Sequence, residues 1–461
     1  MNQTLPLCLC SFARKLLFSF IVASLSLCSV YSQESSGAVV QLQSSLNFKG
    51  TEGLAFAPVT KLLAVTERNR TVRIVDVTSG DERALLSFKK QELLLRWTND
   101  GQRLLIVGSK VVTIWDARLG KALAAPVGLQ RKRDFLSAAQ VEWNPAGTAI
   151  LTFNTDSGFK ASFREKYKAT VQLWDVKSGE LKFEVTVKGS YVQTQFSPDG
   201  KQLLTASGEE DARLWDIETG ALIAVLKPPE RSVTDGSFGT FSPDGELVAV
   251  KSYDSGIYIW DSATGTLKTT VALSKSGDGF ELREFSPDGK LFALDRQQSK
   301  GRHMDNSIEL RDGVTGKIRV TLTGKHMNGF ESQRVWSPDS QTYITADSGK
   351  KYEAKIWDVK TGRLKGTFPM VLTYSWIPLV FGSIDRDNLL VHPTLPIVMA
   401  ANEKFVRFWS TDTGELMQKI DDTGGPAQWS ADGTLLLTFR KRLEVAHVWR
   451  VVLPQKGPSK N

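Results

Sequence analysis

The chain has 461 residues, 41% of them hydrophobic and 23% charged, with a formal net charge of +8. That composition, without a long polar low-complexity tract, excludes a largely disordered protein. The length leaves room for several ordinary domains or for one large all-β body.

The N-terminus differs in kind from the rest. Arg14 and Lys15 precede an apolar run from Leu16 to Leu27, followed by Ser29, Val30, Tyr31 and Ser32 and then by polar Gln33-Glu34-Ser35-Ser36. A positive start, a 12-residue apolar stretch and a small-x-small exit form the pattern of a secretory signal peptide. Residues 1–32 are therefore expected to be a signal peptide cleaved after Ser32, with the mature protein periplasmic or extracellular. The apolar run is short for a membrane span, which needs about 20 residues. No transmembrane segment is expected after cleavage, and an uncleaved signal anchor is the alternative. Cys8, Cys10 and Cys28, the only cysteines, all fall within this segment. The mature chain would then have no disulfide, no thiol nucleophile and no Cys-bound metal. Cys28 follows Leu25-Ser26-Leu27, which loosely resembles a bacterial lipoprotein box but places Leu27 where a small residue belongs. Lipid anchoring at Cys28 is the lesser alternative. Losing Arg14 and Lys15, with no acid, lowers the charge from +8 to +6. A charge of that size favours an anionic partner only weakly.

An alternating run, Val39-Val40-Gln41-Leu42-Gln43, comes next and belongs to no repeat. Beyond it the chain repeats. An aromatic followed by Asp recurs at Trp115, Trp174, Trp215, Trp260 and Trp357, with weaker members at Val75-Asp76, Arg311-Asp312, Trp409-Ser410 and Trp449-Arg450. The nine members are spaced 40 to 59 residues apart. In each unit a first strand ends in an aromatic (Phe56, Trp97, Trp143, Phe196, Phe241, Phe285, Trp336, Trp429), Val391 being the exception. A turn leads to an apolar second strand, the third strand carries the Trp-Asp, and a Thr-Gly or Ser-Gly turn leads to the fourth. Short alternating runs between Gly-bearing turns are β-strands, and four per period make one antiparallel sheet.

The first turn is often spelled FSPDG, at Phe196–Gly200, Phe241–Gly245 and Phe285–Gly289, with near copies WSPDS at Trp336–Ser340 and WSADG at Trp429–Gly433. Pro fixes φ at the second turn position, Asp suits the third, and Gly takes the positive φ that closes the hairpin. A catalytic Asp has no reason to recur at every hairpin tip, so the string is architectural. Eleven of the twelve tryptophans occupy first- or third-strand positions, as inter-sheet packing requires, and only Trp376 falls off the frame.

With these units in register, residues 38–453 resemble the WD-repeat (WD40-like) β-propeller family. The resemblance implies a single all-β ring of four-stranded antiparallel blades around a central channel, with residues 33–453 as propeller and 454–461 as a flexible tail. Nine repeats are counted, with eight blades plus a displaced unit as the rival. The Gly-His dipeptide usual in the family is absent, and only His303, His326, His392 and His447 exist. The family's buried Asp-His-Ser-Trp tetrad therefore cannot be general, and the chain looks more like divergent bacterial-type propellers. The ninth unit lacks a fourth strand, and the orphan run at Val39–Gln43 is expected to supply it, because an unpaired edge invites aggregation.

Enzyme signatures are absent: there is no P-loop, GxSxG, HExxH or EF-hand series, and the histidines lack metal-site spacing. No cofactor or metal is expected. In the family's blade order, the loops joining strands two and three and those joining blades open on one face. Thr155–Lys168, Arg296–Asn306, Gly128–Ser137 and Pro369–Asp387 all map there. They bring Arg131, Lys132, Arg133, Lys160, Arg164, Lys166, Lys168, Lys300 and Arg302 as candidate binding residues. Tyr374 and Trp376, in the apolar stretch of the last loop, are a second candidate contact. Against this stand solvated basic loops and an apolar segment packed on the ring. The reading adopted is an exported, non-catalytic scaffold binding a protein, or an anionic surface such as a polysaccharide or lipid headgroup. Nucleic acid is not expected behind a signal peptide. An enzyme or cofactor-binding propeller with a site at the channel mouth, and a TolB-like envelope component, are the alternatives.

Overall fold

The computed structural model describes residues 39–48, 50–68, 70–88, 93–108, 111–123, 141–155, 168–189, 192–229, 237–252, 256–272, 279–300, 303–323, 333–346, 353–370, 389–401, 405–421, 427–440 and 444–452. The expected signal segment with its three cysteines and the expected tail at 454–461 lie outside them. The chain divides into two units, Met1–Ser35 and Ser36–Asn461, and the described residues all belong to the second.

Among the described residues every regular element is a strand, and the strands form nine four-stranded antiparallel sheets. Blades 1 to 8 span residues 51–87, 93–123, 141–188, 193–226, 237–272, 279–323, 333–369 and 389–421, each built from consecutive strands here called a to d. Blade 9 takes strands a to c from 427–451 and its fourth from Val40–Asn47, which pairs antiparallel with Val445–Val451. The expected closing strand is thus in place, extended to Asn47. The a strands of successive blades touch one another, as those of blades 1 and 2 and of blades 7 and 8 do, which puts them innermost.

The ring follows from the period-2 alternation of the strands. Successive side chains point to opposite faces of a sheet, so a strand apolar on both faces can pack against two neighbours. In the second strand of blade 1, Leu63 and Val65 enter a core shared with Leu435, Leu437 and Phe439 of blade 9. Its alternate residues, Leu62 and Ala64, enter a core shared with Leu93, Leu104 and Ile106 of blade 2. The pattern continues around the molecule as nine apolar clusters, one for each pair of adjacent blades. Each fully buried Leu, Ile or Phe contributes roughly 1.5–3 kcal/mol. A cluster at every junction, including that between first and last blades, makes nine blades in one ring rather than eight.

The aromatics that end the a strands reach towards the preceding blade. Trp97 Nε1 donates to Ala55 O (3.0 Å) and Trp143 Nε1 to Arg96 O (3.0 Å). At the third-strand position the indole meets a threonine of its own blade: Trp174–Thr152, Trp215–Thr205, Trp357–Thr345 and Trp449–Thr438, each 3.0 Å from Nε1 to Oγ1. This two-residue bond stands where the tetrad would be. The turns behave as their spelling predicts. Ser197 Oγ donates to Asp199 Oδ1 (2.7 Å), Asp199 Oδ1 accepts from Lys201 N (3.0 Å), and Ser197 Oγ accepts from Gln202 N (2.9 Å). The Asp after the Trp caps the next turn: Asp216 Oδ1 accepts from Thr219 N and its hydroxyl, both at 2.7 Å. These bonds hold the Asp199 and Asp216 carboxyls below the usual range. Neither recurring carboxylate is free for chemistry.

Candidate interaction face

The a–b and c–d turns share one face of the ring, and the b–c and inter-blade connections share the other. The turn face is largely consumed by its own construction. Thr60 Oγ1 donates to Gly101 O (3.1 Å), Arg103 Nη1 to Gly147 O (2.9 Å), and Ala431 N to Pro58 O (3.1 Å), while Lys61 pairs with Asp432 (2.9 Å). In blade 8, His392 replaces the turn serine. It is 1% exposed, its Nδ1 accepts from Thr394 N (3.1 Å) and Leu395 N (3.0 Å), and its Nε2 therefore donates to Gly433 O of blade 9 (2.9 Å). Burial holds this imidazole below its ordinary pKa.

Of the candidate binding residues, the opposite face shows two. Lys168 lies not in a loop but at the first position of a strand, Lys168–Asp175, exposed and registered opposite the exposed Lys188. Lys300 ends a strand opposite His303. The stretch Arg296–Asn306, expected as a loop, is instead the end of a hairpin of two ten-residue strands, Leu291–Lys300 and His303–Asp312. Arg131, Lys132, Arg133, Lys160, Arg164, Lys166, Arg302, Tyr374 and Trp376 lie outside the described residues. At the edge of the apolar stretch, Pro369 closes a d strand and Met370 is buried between blades 7 and 8.

A polar network around blade 6 was not anticipated from sequence. Where seven blades carry Trp and blade 1 carries Val75, blade 6 carries Arg311, whose Nε donates to the buried Glu309 (2.8 Å), which also accepts from Arg296 (3.0 Å). A bulge between Leu282 and Phe285 in the innermost strand turns Arg283 onto Asp295. Asp295, 5% exposed, also accepts from Arg334 of blade 7 (Nη2–Oδ2 2.9 Å). Lys251 of blade 5, 3% exposed, pairs with Glu281 (2.7 Å). Tyr343 of blade 7, fully buried, donates to Glu284 (3.3 Å). Glu284 keeps solvent contact, yet protein hems it in closely enough for burial to push its carboxyl up. Glu142 of blade 3 combines the same two properties. Each sits one residue before the aromatic of its innermost strand, as Arg96 does in blade 2. All three therefore stand in one layer of the innermost strands. The only sequence sign of the network was Arg in place of Trp at 311.

Among the described residues no group of His, Cys, Asp and Glu could hold a metal ion, and no helix is long and apolar enough to cross a membrane. A cleft of about 560 Å³ lies between the closing strand and blade 1, beside Leu46, Phe48 and the Glu67–Arg73–Glu82 ion triplet.

Nine four-stranded antiparallel blades define a β-propeller, and five of them carry Trp-Asp in the third strand. Comparison with known proteins supports the same class. The family model described as "WD domain, G-beta repeat" matches residues 220–261. WD repeat-containing protein 1 of Rattus norvegicus is 40% identical over 87 residues, 19% of this chain and 13% of that protein. Protein tipD of Dictyostelium discoideum is 23% identical over 309 residues, 64% of this chain and 45% of that protein. This chain thus spans well under two thirds of the length of either relative. Both are eukaryotic and lend the bacterial-type resemblance no support. A crystal structure of the eukaryotic initiation factor shares the fold, with a TM-score of 0.58 and 13% identity over 82% of this chain and 89% of that one.

Proposed function

We propose that the chain is an exported, non-catalytic scaffold that holds a protein partner on the face carrying its b–c and inter-blade connections. The observation that carries this reading is the division of labour between faces. Recurring carboxylates, turn serines and the buried histidine of the turn face are engaged in bonds within and between blades. The opposite face presents exposed lysines, Lys168 and Lys188, side by side on adjacent strands. Like charges placed directly across a ladder cost stability, so a facing anionic surface offsets that cost. Propellers of this class commonly bind proteins. Export rests on the N-terminal sequence pattern alone.

Affinity purification from the native source tests the reading. Reversing Lys168 and Lys188 to Glu, alone and with Lys160, Arg164 and Lys166, is expected to release at least one retained protein without lowering the melting temperature. Retention of every partner by the reversed protein overturns it. N-terminal sequencing tests export separately: a mature start at Gln33 supports it, and a start at Met1 refutes it.

A second reading, a small ligand in the channel, is favoured by the layer containing Arg96, Glu142 and Glu284. Spectra or mass spectrometry of native-purified protein showing a bound molecule, lost in Glu142→Gln and Glu284→Gln, would establish it.

A further inference from the structure

The third strand of blade 1 holds a valine, Val75, at the position where seven blades hold tryptophan. That indole packs towards the preceding blade. Trp115, Trp260, Trp357, Trp409 and Trp449 each enter the apolar cluster that their blade shares with the one before it. Val75 takes the corresponding place at the seam, in the cluster shared by blades 9 and 1. The threonine that receives four of the indoles is missing as well. Val75 pairs with Leu63, which puts Val65 where Thr205 stands in blade 4. Protein interiors are close-packed, and a large side chain withheld from a core leaves space that its neighbours fill only in part. The seam has such a space: Val75 lines the cleft of about 560 Å³ between the closing strand and blade 1.

All nine residues lining the cleft are among the described ones. Val75, the buried Phe48 and the half-buried Leu46 are its apolar part. Glu67, Arg73 and Glu82 are its charged part. Glu67 is 4% exposed and accepts from Thr71 Oγ1 (3.0 Å) and from Arg73 Nε (3.1 Å). Arg73 Nη1 also donates to Glu82. Two carboxylates and one guanidinium leave the lining with one negative charge in excess, and Glu82, the exposed member, presents it to solvent. Glu82 opens the outermost strand of blade 1, away from the innermost strands that carry Arg96, Glu142 and Glu284. A cleft of this volume falls in the range of small-molecule sites, roughly 300–1,000 Å³, which combine apolar walls with a few fixed polar groups.

We propose that the cleft at the seam is a binding site for a small molecule that joins an aromatic ring to a cationic group. The ring takes the space left by the missing indole, against Val75, Leu46 and Phe48, and the cation lies against Glu82. Burial of the ring supplies the affinity, and the carboxylate selects the charge. The site requires neither a ligand in the channel nor a partner on the face that carries Lys168.

The test is a ligand-observed NMR titration of the full chain with three probes that share one ring: tryptamine, indole and indole-3-acetate. Tryptamine should bind at least about tenfold more tightly than indole-3-acetate, one attraction set against one repulsion, with indole between them. Val75→Trp supplies the indole from the protein's own side. Blade 5 already combines a third-strand Trp260 with Val250 at the second-strand position, so Val65 does not bar the ring. This variant should bind tryptamine and indole at least about tenfold more weakly, with no fall in melting temperature. Glu82→Gln should leave indole binding unchanged and bring the three probes to within about threefold of one another. Failure of tryptamine and indole to bind, undiminished binding by Val75→Trp, or a preference for the acetate overturns the proposal. If Val75→Trp lowers the melting temperature, Glu82→Gln decides: loss of the charge preference supports the site, and its retention overturns it.

Discussion

Two pairs of substitutions separate what individual side chains contribute from what the backbone demands. Four third-strand tryptophans find a threonine hydroxyl, but Trp260 Nε1 is buried with no hydrogen-bond partner. Val250 stands in blade 5 at the position held by Thr205 in blade 4, since Val248 pairs with Trp260 as Leu203 pairs with Trp215. Val250→Thr is therefore expected to stabilise the ring by about 1 kcal/mol, and Thr345→Val to destabilise it by about 1–3 kcal/mol, read from urea midpoints. Gly433 has φ +68°, and a Cβ there would stand 2.3 Å from His392 Cε1. Gly433→Ala both strains the turn and drives against the imidazole that joins blades 8 and 9. The expected loss exceeds about 2 kcal/mol, whereas Ala at Gly120, which has no atom within 4 Å, should lose less. Calorimetry on the pair distinguishes the two terms. The sequence disclosed the aromatic frame and the turns because both are local, recurring patterns. It did not disclose His392 as a turn residue, because a histidine in place of serine leaves no spelling to recognise.

At the level of strands and blades, the closing strand is the element with the most at stake. Deleting residues 1–47 would expose the whole edge of Val445–Val451 and uncover the apolar core shared by blades 9 and 1. Light scattering should then show concentration-dependent association, and the melting transition should broaden and fall. A deletion product that stays monomeric with an unchanged transition would contradict the role given to this strand. The strand was legible in advance because it alternates and because the last repeat lacked a partner for it. The length of the blade 6 hairpin was not legible: in its first strand apolar residues stop at Leu294, and a stretch polar on both sides carries no period-2 signal. The network beside it was invisible for another reason. Arg334 and Asp295 are 39 residues apart, and no local pattern links charges that meet across a blade junction. The basic residues proposed for binding remain a property of composition and connection, apart from Lys168 and Lys300.

Across the whole ring, stability depends on pH through two opposed sets of carboxyls. The turn aspartates, Asp199, Asp216, Asp261 and Asp358 among them, are held low first by hydroxyls from Ser197, Thr219, Thr264 and Thr361. A depressed folded-state pKa adds stability that is present above the unfolded value of about 3.9 and is lost as pH falls through the folded one. Glu284 has the opposite sign, because burial raises its pKa and its cost grows as pH rises past the unfolded value of about 4.3. Melting temperature should therefore drop steeply below about pH 4. Glu284→Gln should leave that acid limb unchanged and raise the melting temperature at neutral pH; a drop there would show the carboxylate to be needed in its charged form. The seam between first and last blades also fixes an order of events during synthesis. Ser45 and His447, joined at 2.8 Å, are 402 residues apart, so the opening strand leaves the ribosome long before the partner it must meet. Eight blade junctions can form as the chain lengthens, but the ninth must wait for residues 445–451. Any nascent chain stalled before them remains an open arc with two sticky flanks.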